Sequence, residues 1–299
     1  MTVLPTVALP CRAPLPVSGR PAFHMPAGAC DSHAQIVGPH ERYLMVANRA
    51  YTPPPATEAD YLAMLDALGL ARGVLVQVSV YGTDNRCMLA SLRAHPERLR
   101  GIAVVPQDIS DTDLACLADA GVRGIRINTQ LGGDLAMDAM ERLAARIAPL
   151  GWHIQLLMDV RTLATVGRRI SRLPVDVSFE HMGWACPADG TREPGFQALL
   201  AMMREGRAWA KLSGAYLFSS AGAPYADVRP FAQALLEAAP DRCLWGSDWP
   251  HVSAPGGAMV RTEDMLGLLP DWASDAELRA RVLVHNPARL YGFAPVTLP

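Results

Sequence analysis

Short apolar runs rich in valine and isoleucine recur roughly every thirty residues along the chain, each followed by a longer stretch whose apolar positions keep helical spacing. The runs fall at 29–37, 73–80, 101–105, 124–128, 153–158, 175–181, 208–213 and 242–247. Helix-start signals stand between them: Thr57 with Asp60, Asp84 ahead of Met88, Asp111 ahead of Leu114, and Asp227 ahead of Phe231. Gly69 and Gly121 follow the apolar stretches of their helices as stop signals. Eight alternating units in 299 residues predict an α/β chain folded as a closed parallel (β/α)8 TIM barrel of a single domain. An open doubly wound sheet would share the same local rhythm.

The first 27 residues break the pattern. Prolines at 5, 10, 14, 16, 21 and 26 preclude both a helix and the apolar core of a secretory signal, so residues 1–27 read as an extended arm before a barrel domain at 28–299. Such an arm dangles or lies across the barrel or a neighbouring subunit. The longest uncharged stretch, 212–226, is interrupted by glycine, proline and serine, which excludes a membrane span. A formal charge of −2 without like-charge runs argues against nucleic acid as a partner. The cysteines at 11, 30, 87, 116, 186 and 243 are scattered, as expected of reduced thiols in a cytoplasmic protein.

A barrel of this kind builds its chemistry at the carboxyl ends of its strands. Sampled there, the chain offers Asp31, His33 and Gln35; Ser79 and Tyr81; Arg126 and Asn128; His153 and Gln155; His181; Ser213 with Tyr216; and Asp248 with His251. Residues two apart on a strand share a face, so His33 and Gln35 are expected to point together into the mouth, as are Arg126 and Asn128. Polar groups converging from most strands would each need a partner, which a purely structural barrel would avoid. Lys211, the only lysine, lies on the seventh strand and reads best as one half of an interior ion pair.

The chain resembles the amidohydrolase superfamily, in the branch of 2-pyrone-4,6-dicarboxylate hydrolase and related lactonases. The resemblance is carried by D-S-H-A-Q-I-V-G-P from Asp31, Y-G-T-D-N from Tyr81, R-G-I-A-V-V from Arg100 and R-G-I-R-I-N from Arg123. It continues in G-W-H from Gly151, E-H-M-G from Glu180, W-G-S-D-W-P-H from Trp245 and H-N-P-A-R-L-Y from His285. It implies a hydrolase of cyclic esters whose pyrone-cleaving member needs no metal. The strand-eight aspartate would handle the proton, and histidines of strands one and six would lie near the carbonyl.

Two kinds of departure shape the expectation. The family's strand-one pattern is Asp-x-His-x-His, and here the second histidine is Gln35, a neutral amide and a poor zinc ligand. The pyrone dicarboxylate hydrolase also has arginines where this chain reads Thr129, Gln130, Leu131 and Ala215, Tyr216, Leu217. Without those bidentate partners a dianion should bind weakly, so that substrate is not carried over.

The expected activity is opening of a lactone of a sugar acid or an aromatic-degradation intermediate. Asp248 would be general base, His33 and His181 would stabilise the oxyanion, and no metal or other cofactor would be required. Gln35, Ser79, Tyr81, Arg126, Asn128, Gln155, Tyr216 and His251 are the expected substrate contacts, with Arg126 as anchor for a substrate carboxylate. The alternatives are an aldarolactone isomerase and a decarboxylase in which His33, His181 and Asp248 share one divalent metal such as zinc. A small-molecule lactone is the expected partner, and a homodimer the expected assembly.

Overall fold

The computed structural model describes residues 8–129, 136–252 and 259–295. Eight parallel strands form one sheet in chain order: β1 (Cys30–Ala34), β2 (Arg72–Val76), β3 (Leu99–Ala103), β4 (Val122–Asn128), β5 (His153–Leu157), β6 (Val177–Phe179), β7 (Ala208–Leu212) and β8 (Cys243–Trp245). The chain after β8 returns to β1. Ala34 bridges Trp249, the Gln35 N–H donates to the Trp249 carbonyl at 2.7 Å, and the Asp248 N–H donates to the His33 carbonyl at 2.8 Å. The sheet therefore curls into a barrel, and no reversal of strand order marks the doubly wound alternative.

Several strands are shorter than their apolar runs. The run 175–181 is strand only over Val177–Phe179, and Ser79–Tyr81 forms a 3-10 turn beyond β2. Apolar composition marks burial, and burial continues past the point where the backbone leaves the sheet.

The major helices between strands are α1 (Glu58–Leu68), α2 (Arg86–Ala94), α3 (Asp111–Asp119), α4 (Met137–Ile147), α5 (Leu163–Ile170), α6 (Pro194–Arg204) and α7 (Arg229–Ala238). α1 starts at a reciprocal Thr57–Asp60 capping box and ends at Gly69, whose φ of 72° a side chain would strain. The three other start signals shift. The cap position of α2 is Asn85, with Asp84 accepting from the Arg86 N–H at 3.1 Å. The cap of α3 is Ser110, which accepts from the Asp113 N–H. Asp227 instead ties together Ser219, Ser220 and Ala221 in the loop before α7.

The sheet separates two apolar sets. Leucines, methionines and aromatics of the helices pack against its outer face. A smaller set (Cys30, Val74, Val76, Ile102, Trp209 and Leu244, with Tyr291 and Phe293) fills the inside, as strand alternation requires. Polar groups are thereby left for the opposite, carboxyl end.

The described part of the arm is extended and pinned beside that end. Leu9–Pro10 pairs in parallel with Tyr51–Thr52, the Cys11 N–H donates to the Thr52 carbonyl, and Cys11 Sγ lies 2.7 Å from the Val252 carbonyl. Further along, Ser18 donates to Glu263 through both its N–H and its hydroxyl.

Candidate active site

Strict alternation would turn Asp31 and His33 to one face of β1. The pairing register with β2 shifts between Asp31 and Ala34, and the two side chains part. The Asp31 carboxylate accepts from the Tyr61 hydroxyl at 3.1 Å and the Ser247 hydroxyl at 2.5 Å, bracing β1 against α1 and the end of β8. Its burial pushes its pKa up to about 6 against those hydrogen bonds. His33 faces the barrel mouth instead. Gly246 makes this possible, since a Cβ there would lie 2.5 Å from the His33 Cβ.

His181 and Asp248 reach the same cluster from left-handed backbone, with φ of 48° and 60°. Non-glycine residues adopt this conformation rarely and at a cost of order 1–3 kcal/mol, a pattern concentrated at functional sites. His181 Nδ1 lies 3.0 Å from the Ser213 hydroxyl, and a Cβ at Gly214 would lie 2.5 Å from that nitrogen.

Four polar atoms converge. His33 Nε2 is 3.5 Å from Asp248 Oδ1 and 4.0 Å from Glu180 Oε2, while His181 Nε2 is 3.7 Å from Glu180 Oε2 and 3.9 Å from Asp248 Oδ1. The two imidazole centroids are 4.9 Å apart. Burial raises the Asp248 carboxyl above its ordinary range, although His181 and a 2.7 Å hydrogen bond from the Tyr216 hydroxyl act against the rise. Burial and the charge of Lys211 hold His33 well below the ordinary histidine pKa.

A polar layer lies beneath these groups. Arg126 grips Glu180 bidentately, Nε to Oε1 at 2.7 Å and Nη2 to Oε2 at 2.8 Å, and its Nη1 reaches the Gln77 carbonyl and the Ser79 hydroxyl. Burial pushes the Glu180 pKa up, but Arg126 and the two histidines outweigh it and keep Glu180 ionised. Gln155 Nε2 donates to Glu180 Oε1 at 2.7 Å, and Gln155 Oε1 accepts from Lys211 at 2.5 Å. Arg126 is thus committed to an internal carboxylate rather than standing open as an anchor. Lys211 is interior as expected, but its acceptors are a carbonyl and an amide instead of an ion-pair partner.

The other expected contacts divide. Ser79 accepts from Asn128 Nδ2 at 3.2 Å, and Tyr216 touches Asp248 directly. His251 bonds the Thr262 hydroxyl through Nε2 and stacks edge-on against Tyr216, one ring removed from the carboxylate. Gln35 is buried where the barrel closes on Trp249. Tyr81 turns elsewhere: its hydroxyl accepts from the Gly38 N–H and its ring packs on Tyr43. His153, paired by parity with Gln155, lies at the start of β5 against Tyr291, at the closed end. Gln130 and Leu131 lie outside the described residues.

Two residues went unselected in the sequence. Glu180 sits in E-H-M-G, and a glutamate ending a buried strand was the signal available. Tyr51 comes from the loop after β1, which has no periodicity to orient it. Its hydroxyl bonds Ser79, and burial pushes its pKa up to about 12.

His33, Glu180 and His181 offer ligand atoms that all lie within 4.8 Å of one another, a group that could hold a metal ion. Its spacing suits a cation, and so does the absence, among the described residues, of any hydrogen bond at His33 Nε2. Its hydrogen bonding does not favour one: both Glu180 oxygens already serve Arg126, and His33 Nδ1 faces the Lys211 ammonium, where a ligating histidine needs an acceptor.

Three relatives resemble the chain over nearly its whole length. It is 37% identical over 283 residues to a 2-pyrone-4,6-dicarboxylate hydrolase of Comamonas testosteroni, covering 91% of this chain and 92% of the relative. It is 37% identical over 287 residues to a 4-sulfomuconolactone hydrolase of Rhizobium radiobacter, covering 95% and 96%. It is 29% identical over 279 residues to a D-galactarolactone isomerase of Agrobacterium fabrum, covering 92% and 94%. The amidohydrolase family model matches residues 29–293, from the start of β1 to the aromatic plug beneath the barrel. This chain, with its imidazoles and carboxylates gathered at the strand ends, belongs to the amidohydrolase family.

Proposed function

We propose that the protein hydrolyses a lactone, opening the ring to a hydroxy acid. The observation that carries this reading is the approach of His33 Nε2 and His181 Nε2 to one carboxylate oxygen, at 3.5 and 3.9 Å, among buried side chains at the strand ends. The naming of two relatives as lactone hydrolases supports it.

In this mechanism Asp248 accepts a proton from water as the water oxygen bonds to the lactone carbonyl carbon. His33 and His181 face the carbonyl oxygen and stabilise its developing negative charge. When the tetrahedral centre collapses, the ring C–O bond breaks and Asp248 returns the proton to the departing oxygen. One water is consumed and one hydroxy acid forms. Tyr216 holds the carboxylate in place, while Ser79, Asn128 and Tyr51 line the approach.

Arg126 spends its fork on Glu180, and the segments 130–135 and 253–258 contain no lysine or arginine. The substrate is therefore a lactone with fewer acid groups than a dicarboxylate. The six cysteines are free, which suits the reducing interior of a cell. Among the described residues no helix is long and apolar enough to cross a membrane.

The spacing of His33, Glu180 and His181 favours a second reading, in which they hold one divalent cation. Such an ion would act as a Lewis acid on the ester carbonyl. The experiment is a lactone panel assayed on enzyme of measured metal content, with and without chelator, beside Asp248→Asn. Ring opening that survives chelation and falls about 10²–10⁴-fold in the variant supports the first reading. Loss of metal and activity together supports the second. Products isomeric with substrate, formed without acid release, would replace both with an isomerase.

A further inference from the structure

Lys211 is wholly buried on β7, and the reaction above does not use it. Burial pushes the Lys211 pKa down to about 7 against the pull of Glu180 and Asp31, so below that pH it is an ammonium with three N–H bonds. Three polar atoms of the described residues stand around it: the Ser32 carbonyl at 2.7 Å, Gln155 Oε1 at 2.5 Å and His33 Nδ1 at 3.4 Å. The amide orientation of Gln155 follows from its other side. Its neighbour there, Glu180, is ionised against Arg126 and can only accept, so the NH2 turns to Glu180 and the oxygen to Lys211. With two N–H bonds spent on oxygens, the third points at His33 Nδ1.

The far edge of the ring gives the same answer independently. Among the described residues His33 Nε2 has no hydrogen-bond partner, and it faces Asp248 Oδ1 at 3.5 Å and Glu180 Oε2 at 4.0 Å. Both are acceptors. A lone pair on Nε2 would oppose two carboxylate oxygens, whereas a proton there meets two acceptors.

We propose that Lys211 is a positioning residue that fixes the tautomer of His33: by donating to Nδ1 it places the ring's single proton on Nε2. His33 then meets substrate as an N–H donor and lacks the lone pair with which it would ligate a metal. One buried amine thereby biases the mouth toward hydrogen-bond catalysis and against zinc. The inference deepens the lactonase reading and rests on the role given there to His33, but its test requires no turnover, so failure of one leaves the other standing.

The experiment is histidine-selective 15N labelling of the full chain, with two-bond 1H–15N correlation spectra and assignment of His33 by the signals lost in His33→Asn. In the wild-type chain Nδ1 is expected unprotonated and Nε2 protonated at about pH 6, below the value of about 7 to which burial pushes Lys211. A protonated Nδ1 overturns the proposal, and this arm needs no variant to fold. In Lys211→Met the proton is expected to redistribute toward Nδ1. Zinc, added alone and followed by calorimetry, is expected to bind at least tenfold more tightly than to wild type. A folded variant with an unchanged His33 tautomer, or with unchanged zinc affinity, overturns the proposal.

Discussion

The Tyr216 hydroxyl donates to Asp248 Oδ2 at 2.7 Å, while His33 Nε2 faces the other oxygen of the same carboxylate at 3.5 Å. One oxygen is held and the other is left toward the two imidazoles. A donor to the ionised form lowers a carboxyl pKa, so its loss must raise it.

Tyr216→Phe is therefore expected to shift the acidic limb of the kcat/KM profile upward by about one pH unit, with about tenfold less activity on that limb. A pH–rate series on both proteins checks this. An unshifted limb would show that Tyr216 does not tune the base.

Glu180→Gln leaves the buried Arg126 guanidinium without its counter-charge. Stability is expected to fall by about 3–5 kcal/mol in urea unfolding, and the double replacement Arg126→Met with Glu180→Leu is expected to recover part of it. A single variant as stable as wild type would mean that the pair is dispensable to folding.

Acid sensitivity follows from buried neutral rings. Burial pushes His153 and His251 down to about 3, against an unfolded value near 6.5. Below that value the unfolded chain binds protons that the folded chain refuses, so stability is full above about pH 6.5 and declines toward pH 3. Each ring contributes a slope of about 1.4 kcal/mol per pH unit. Asp31, raised to about 6, opposes one such slope between about pH 4 and 6, since there the folded chain holds the extra proton. Urea midpoints should still fall between pH 7 and 4.5, and a rise would contradict the neutral assignment.

Deleting residues 1–11 removes the strand pairing behind Tyr51 and the Cys11 contact to the strand-eight loop. The expected outcome is a several-fold rise in KM for a lactone substrate with little change in thermal midpoint, because the arm packs on the rim rather than the core. Equal loss of both would assign the arm to folding.

The barrel was legible because a strand covered on both faces must be apolar throughout, and eight such runs stand out against amphipathic helices. The strand ends were less legible. His181 reads as the last residue of a strand, yet it occupies a left-handed turn that no apolar run announces. Asp31 shares the parity of His33 on paper, whereas the register shift between Asp31 and Ala34 parts their side chains. Arg126 reads as an open cation because the residue that occupies it, Glu180, is 54 positions away. Tyr51 arrives through a loop held by the arm, a relationship between distant segments that local pattern does not encode.

The burial of Lys211 has a practical corollary, because it is the only lysine side chain of the chain. An acylating reagent reaches that amine only when the barrel opens far enough to admit it. Mass added at this position over time would count opening events of the native protein, and a lactone that seals the mouth would slow the count.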